Sequence, residues 1–137
     1  GRGKYTGTRG DEFRGDYKRG KRDGVGVYKS GKGDSYRGGF SEGKMSGRGE
    51  LELASGVVYS GEFWEGRYHG TGSLNCPSGE KYVGSWKQGL KHGKGIHITA
   101  AGNKYNGFWE NDTMSGEGIY TYRNGCYFQG SFKGGLP

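Results

Sequence analysis

The chain has 137 residues, of which 33 are glycine and only 29% are hydrophobic, with a mean hydropathy of −0.97 and a net charge of +7. Such a composition is typical of disordered chains, but 11 Tyr, 6 Phe and 3 Trp indicate that some surface is buried. No run of 18 apolar residues exists, so no membrane-spanning helix is predicted, and too few Leu, Ile and Val are present for a thick two-layer core. Cys76 and Cys126 are too few for a disulfide framework, which favours a reducing, cytoplasmic compartment.

The sequence repeats itself at a shift of 23 residues without any gap. Two columns of the repeat are aromatic. We call the first of them the first ring column: Phe13, Tyr36, Tyr59, Tyr82, Tyr105 and Phe128. The second ring column follows four residues later: Tyr17, Phe40, Phe63, Trp86, Trp109 and Phe132. Glycine columns lie between and after them, so the glycines have fixed positions in a repeated structure.

The repeat predicts the order of elements along the chain. Residues 1–12 form the second half of a unit, because Gly1 and Gly3 are in phase with Gly24 and Gly26. Complete units follow at 13–35, 36–58, 59–81, 82–104 and 105–127, and residues 128–137 begin another. Within each unit, aromatic, Gly and aromatic residues at a spacing of two predict one strand, and a Gly-x-Gly-x-Φ pattern predicts the next, with Φ a large residue. Each unit is therefore predicted to be a β-hairpin, and the chain a single array of such hairpins.

Glycine is predicted to serve two purposes in these hairpins. On the packed face, a glycine leaves a gap in which a neighbouring ring can lie flat. At the turns, pairs such as Asn124-Gly125 supply the positive φ that tight turns need. A second turn column contains Gly20, Gly43, Gly66 and Gly89, and in the fifth unit it contains Asp112. Asp tolerates the left-handed region, so the exception still predicts a turn.

The unit YSGEFWEGRYHGTGSL, residues 59–74, resembles the MORN (membrane occupation and recognition nexus) repeat, and YVGSWKQGLKHGKGIH, residues 82–97, is similar with His97 as Φ. The family pattern is roughly Y-x-G-x-F/W-x-x-G-x-x-x-G-x-G-x-Φ, and the resemblance covers the whole chain. It implies an all-β fold, in which stacked 23-residue β-hairpins form an elongated, single-layer, twisted antiparallel sheet shaped as a trough. Stacking also follows from physics, because one hairpin alone cannot bury its apolar face.

Motifs for catalysis and metal binding are weak. Residues 38–45 have the Gly and Lys spacing of a phosphate-binding loop, but Met45 stands where magnesium binding needs Ser or Thr, and the glycines belong to hairpin columns. His69 and His92 are one unit apart and should lie about 10 Å from each other, too far for one zinc ion, so a turn role is favoured. A zinc shared between two chains stays open. The sequence predicts no catalytic site, no cofactor and no metal within one chain.

Basic residues are concentrated in two segments. Residues 1–35 contain ten Lys and Arg against five Asp and Glu, and the unit 82–104 contains four Lys and no acid. Two sets of cations are candidate contacts for anionic lipid headgroups: Lys18, Arg19, Lys21 and Arg22, and then Lys87, Lys91 and Lys94. Solvated turns that keep a glycine-rich sheet soluble are the favoured interpretation of these charges. Nucleic acid is not an expected partner, since the ring columns use the aromatics that a stacking platform needs.

Two further surfaces are predicted. Rings of the trough are expected to line a groove for a helical or extended segment of a protein partner: Phe63, Tyr82, Trp86, Tyr105 and Trp109. The last strand is expected to leave an unpaired edge at which a second copy could bind, giving a homodimer: Phe128, Gln129, Ser131 and Phe132.

The favoured functional hypothesis is a non-enzymatic scaffold for protein–protein interactions. The resemblance implies a place in a cytoskeletal or membrane-adjacent assembly in the cytoplasm. One alternative is a peripheral module that binds phosphoinositides or other anionic lipids through the basic segments. Another is a regulatory module of a larger enzyme.

Overall fold

The computed structural model describes residues 1–7 and 10–136, and every regular element among them is a β-strand. None of these residues forms a helix that could cross a membrane. The chain divides into two compact units, Gly1–Arg67 and Tyr68–Pro137. An all-β fold was predicted from the repeat, and it is confirmed.

Six strands make up the sheet of the first unit, and their order in the sheet is their order in the chain. They are β1 (Arg2–Thr6), β2 (Glu12–Lys18), β3 (Lys21–Lys29), β4 (Ser35–Ser41), β5 (Lys44–Glu52) and β6 (Val58–Trp64). Each strand is antiparallel to the one before it. The phosphate-loop pattern at 38–45 crosses the turn between β4 and β5, so it lies in a hairpin and not at the start of a helix.

The sheet of the second unit follows the same plan. Its strands are β7 (Arg67–Asn75), β8 (Lys81–Lys87), β9 (Leu90–Ile98), β10 (Lys104–Glu110), β11 (Thr113–Thr121) and β12 (Tyr127–Phe132). Neighbouring strands are again antiparallel and consecutive. The predicted hairpins and their stacking side by side are thus confirmed within each unit.

Register explains why glycine repeats in pairs. Glycines of adjacent strands lie opposite each other, as Gly107 does with Gly118, and the ring of the first column lies over both. A methyl group added at Gly118 would lie 2.5 Å from Oη of Tyr105, closer than atoms pack. The predicted role of these glycines as seats for rings is therefore confirmed here. A register shift follows Gly107, between it and Phe108, and marks a bulge in the strand.

The two-residue turns have positive φ at both central positions. Asp112 has a φ of 72°, which confirms its predicted left-handed conformation, and the preceding Asn111 has a φ of 46°. Arg19, Glu42, Glu65 and Gln88 also have positive φ, between 48° and 54°. Positive φ at both positions is the signature of a type I′ turn, whose twist matches that of the flanking strands. The glycine column alone did not reveal that these non-glycine residues share the strained conformation.

Candidate functional site: the ring face and the outer patch

The two ring columns interlock on one face of each sheet, which we call the ring face. In the first unit, Tyr36 packs edge-on against Phe40 and Phe63, with ring centres 5.1 Å apart in both pairs. In the second unit, Tyr105 packs edge-on against Trp109 at 5.2 Å and Phe132 at 5.0 Å. Phe13, Tyr36, Tyr82 and Tyr105 thus each contact the second-column ring of their own hairpin and that of the next. Edge-to-face packing of this kind stabilises beyond area burial alone.

The tyrosine hydroxyls of the first column are used within the fold. Tyr36 donates to the carbonyl of Gly39 at 2.8 Å, and Tyr82 donates to the carbonyl of Ser85 at 2.9 Å. Burial from water raises the pKa of Tyr36 and of Tyr82 to about 12. The raised pKa means that the folded chain favours the neutral phenol. The contribution of these phenols to folding stability is therefore complete below pH 10 and is lost as the pH rises through about 12.

The predicted groove is the core of the protein. Five rings were expected to line it, and their exposed fractions are Phe63 3%, Tyr82 1%, Trp86 5%, Tyr105 0% and Trp109 7%. The prediction of an open aromatic groove at these rings was wrong. The reason is physical: glycine seats let the rings sink onto the backbone, and the neighbouring hairpin supplies the ring that covers them. The indole of Trp109 also donates to the carbonyl of Gly95 at 3.3 Å, so its polar group is occupied.

A column of long side chains covers the rings, and sequence reasoning missed it. Its members, one from each of the five complete 23-residue repeats, are Arg22, Met45, Tyr68, Lys91 and Met114. The guanidinium carbon of Arg22 lies 5.6, 5.2 and 5.4 Å from the ring centres of Phe13, Tyr28 and Phe40. The ammonium of Lys91 lies 5.7 Å from the centre of Tyr82 and 5.3 Å from that of Trp109. Cations over ring faces are stabilised by the ring quadrupole.

The predicted lipid-contact residues consequently divide into two groups. Arg22 and Lys91 are half-buried over the ring face, and their contact with anionic lipid stays a prediction. The other cations are exposed, at the turn between β2 and β3 and around β9: Lys18, Arg19, Lys21, Lys87 and Lys94. Their contact with lipid stays a prediction.

The opposite face of the second unit carries exposed apolar side chains among lysines. Strand register places Val83 opposite Ile96, and Ile96 and Ile119 on either side of Asn106. Phe108 lies opposite Lys94. We define the outer patch as Val83, Lys94, Ile96, Lys104, Phe108 and Ile119. Val83 is 57% exposed, Phe108 49% and Ile119 38%, so three large apolar side chains of the patch remain in contact with water.

A family model for the MORN repeat matches residues 13–35, 36–58, 59–81, 82–104 and 105–127. The chain belongs to the MORN repeat family. MORN repeats are commonly modules for protein or membrane interaction, and MORN repeat proteins are generally non-enzymatic. No curated protein matched the chain.

One cluster in the MORN array has the residue types of a nucleophilic site. The thiol of Cys76 lies 3.9 Å from Oε1 of Glu80, and Nε2 of His97 lies 3.2 Å from Oε2 of the same carboxylate. Burial, followed by the charge of Glu80 and its hydrogen bond, raises the pKa of the Cys76 thiol. A protonated thiol is a poor nucleophile, and His97 contacts the carboxylate instead of the sulfur. This geometry does not favour acyl transfer or thiol chemistry.

His69 and His92, which share one position of the MORN repeat, each stabilise a turn of the next repeat. Nδ1 of His69 accepts a hydrogen bond from the backbone N–H of Gln88 at 3.4 Å, and Nδ1 of His92 accepts one from Asn111 at 3.3 Å. Both donors are the first central residues of type I′ turns. The histidines themselves lie in β7 and β9, so they support the turns from the neighbouring strand. Within residues 1–7 and 10–136, no three His, Cys, Asp or Glu side chains converge to hold a metal.

The last strand presents a partly apolar edge. In the described part of the chain, β12 is paired along β11 alone. Phe132 is 5% exposed and packs on Tyr105, so it belongs to the core, whereas Phe128 is 38% exposed. Gln129 and Ser131 are exposed, and Ser131 donates to Glu117 at 2.7 Å. A depression of about 210 Å³ beside Phe128 is lined by Met114, Tyr120, Tyr122, Phe128, Phe132 and Gly135.

Proposed function

We propose that this MORN array is a non-enzymatic scaffold that binds protein partners in a cytoplasmic assembly, either cytoskeletal or membrane-adjacent. The observation that carries the proposal is the outer patch of the second unit. The five rings once expected to line a groove are buried in the core, so the proposal assigns partner binding to the outer patch, whose apolar side chains remain in contact with water. Burial beside Glu80 raises the pKa of the Cys76 thiol, which supports the non-enzymatic part of the proposal.

The outer patch is suited to an acidic segment with one apolar face. Lys94 and Lys104 lie among Val83, Phe108 and Ile119, so charged and apolar contacts alternate on the patch. Carboxylates of a partner can pair with the lysines, while its apolar side chains cover the exposed aliphatic and aromatic groups. Either a helix or an extended segment can provide this alternation. Glu110 and Glu117 border Phe108 on its own strand and on the neighbouring strand, so we expect the carboxylates of the partner to lie over the lysines and away from these two side chains.

The test uses a synthetic acidic amphipathic helix of 16 residues, with Leu on one face and Glu on the other. At 1.5 Å per residue it spans about 24 Å, or about five strand spacings. We expect the double variant Phe108→Ser and Ile119→Ser to weaken binding about tenfold in calorimetry, because it removes two central apolar contacts. A matched control is Trp64→Ser, which changes an apolar side chain of similar exposure, 57%, in the first unit.

Equal affinity of the double variant and the control would contradict this site. Vesicles containing phosphatidylserine, pelleted with the same variants at low and high salt, test the alternative function. That alternative assigns lipid binding to the exposed turn cations Lys18, Arg19 and Lys21, which Asp23 and Glu42 partly offset. Binding of vesicles but not of the peptide would favour the lipid function over the scaffold.

Homodimerisation through β12 is a further part of the proposal. Phe128 occupies the first ring column, and it contacts Phe132 of its own hairpin but no ring of a following hairpin within the described residues. A second copy could supply that ring together with a strand that pairs with β12. A role as the regulatory module of a larger enzyme is the remaining alternative.

A further inference from the structure

A cavity beside Arg22 lies on the ring face of the first unit. Its volume is about 400 Å³, within the range of small-ligand pockets, and its wall includes Tyr5, Tyr17, Tyr28, Arg22, Gly43, Lys21 and Asp11. The Asp11 carboxylate already accepts a hydrogen bond from the backbone N–H of Gly31 at 2.7 Å. The Arg22 guanidinium is surrounded by three rings at 5.2–5.6 Å. Among the residues that the structure describes, no carboxylate lies within 4.0 Å of it. A half-buried cation that forms no ion pair with a described carboxylate is thus placed at the wall of an open cavity, which Lys21 and Asp11 also line.

The repeat provides an internal comparison for this cation. Lys91 occupies the same column three 23-residue repeats later. Its ammonium lies 3.9 Å from Oδ1 of Asp112. The backbone N–H of Lys91 donates to the same oxygen at 2.8 Å. The carboxylate of Asp112 therefore neutralises the cation that lies over Tyr82 and Trp109.

Gly43 occupies the position of Asp112 relative to Arg22. The backbone contact is the same at both sites, since Gly43 N–H donates to the Arg22 carbonyl at 2.7 Å and Asp112 N–H donates to the Lys91 carbonyl at 2.9 Å. A methyl group added at Gly43 would meet no atom within 4 Å, so the space that a side chain would take is open. The site at Arg22 therefore has the cation and the backbone hydrogen bond of the site at Lys91, but Gly43 provides no carboxylate where Asp112 does.

We propose that this cavity binds a carboxylate of an extended peptide, which pairs with Arg22 as Asp112 pairs with Lys91. The guanidinium fork suits a two-oxygen anion, and the exposed parts of Tyr5, Tyr17 and Tyr28 suit apolar or aromatic neighbours of that group. The carboxylate is either an Asp or Glu side chain or the C-terminus of the partner. These residues are separate from the outer patch, so this site and the proposed function can fail independently.

The test is a titration of the full chain, followed by two-dimensional NMR of the backbone amides. Three tripeptides serve as probes: capped Tyr-Glu-Tyr, capped Tyr-Gln-Tyr, and Tyr-Gln-Tyr with a free C-terminal carboxylate. We expect saturable shifts at Arg22 and Gly43 with a carboxylate probe, and binding of capped Tyr-Gln-Tyr that is weaker by about tenfold or more. Binding of capped Tyr-Glu-Tyr identifies an acidic side chain as the ligand, and binding of the free C-terminal probe alone identifies a chain end.

Two variants test the mechanism of recognition. Gly43→Asp installs the missing carboxylate at a turn position where Asp112 already has a positive φ, and it is expected to weaken probe binding about tenfold by occupying Arg22. Arg22→Met, the residue type of Met45 in the same column, should weaken it equally while the rings stay covered. The control is Gly66→Asp, which makes the same change opposite Met45 and should leave affinity within about twofold. Binding of capped Tyr-Gln-Tyr as tight as that of both carboxylate probes, or full binding by Gly43→Asp, would overturn the proposal.

Discussion

Replacement of Gly118 by alanine is expected to lower the free energy of unfolding by about 3 kcal/mol, the upper part of the range for overpacked cores. The added methyl would lie 2.5–2.7 Å from three atoms of the Tyr105 side chain. That side chain is fully buried and held between Trp109 and Phe132, so it cannot move aside without disturbing both neighbours. Urea denaturation of the wild-type and variant chains measures the difference.

Gly7→Ala is the matched control for that substitution. A methyl at Gly7 would have its nearest neighbours at 3.5 Å, an ordinary contact distance, so we expect a change within about 0.5 kcal/mol. Both variants lose the same unfolded-state freedom of glycine, and the difference between them reports the ring seat alone. Equal stabilities of the two variants would show that rings do not depend on bare glycine backbone.

Truncation of Tyr105 to alanine is expected to destabilise the chain by about 3–5 kcal/mol, the cost of removing a large ring from a core. Its side chain is 0% exposed and contacts one ring of its own hairpin and one of the next, so truncation loosens both interfaces. Tyr105→Phe removes only the hydroxyl that donates to the Phe108 carbonyl at 2.9 Å, and about 1 kcal/mol is expected. Thermal and urea unfolding separate the two effects.

Tyr127→Ala is the control for that pair of variants. Tyr127 lies in β12 with 68% of its surface exposed, and its truncation should change stability by less than about 0.5 kcal/mol. A Tyr105→Ala variant as stable as Tyr127→Ala would contradict the assignment of the ring columns as the core.

Most of the fold could be predicted from sequence because each column repeats in five or six units. The position of Asp112 in a turn followed from its place in a glycine column, and its positive φ confirms it. The hairpins and their antiparallel order followed from the spacing of rings and glycines. The repeated spacing of rings, glycines and turn residues thus determines the strands and turns of each hairpin.

The surface that remains open could not be predicted in the same way. A column of rings in the sequence indicates that the rings are packed, but it does not indicate whether they pack on one another or on a partner. The burial of Trp86 and Trp109 depends on how closely each ring approaches the glycine backbone and on whether a ring of the next hairpin covers it. Both are distances in the folded chain, and the residue pattern does not contain them. The covering column with Arg22 and Lys91 could not be recognised from residue type, because its members differ in type although they share one position in the 23-residue repeat.

Burial of the tryptophans tests the central claim, that seated rings form the core, most directly. Acrylamide quenching of the Trp64→Phe variant reports on Trp86 and Trp109 alone, whose exposed fractions are 5% and 7% against 57% for Trp64. Quenching several-fold weaker than that of free tryptophan is the predicted result, with a marked increase when Gly118→Ala is added, because the displaced Tyr105 no longer covers Trp109. Quenching of the single variant as efficient as that of free tryptophan would place these rings in solvent and contradict the account.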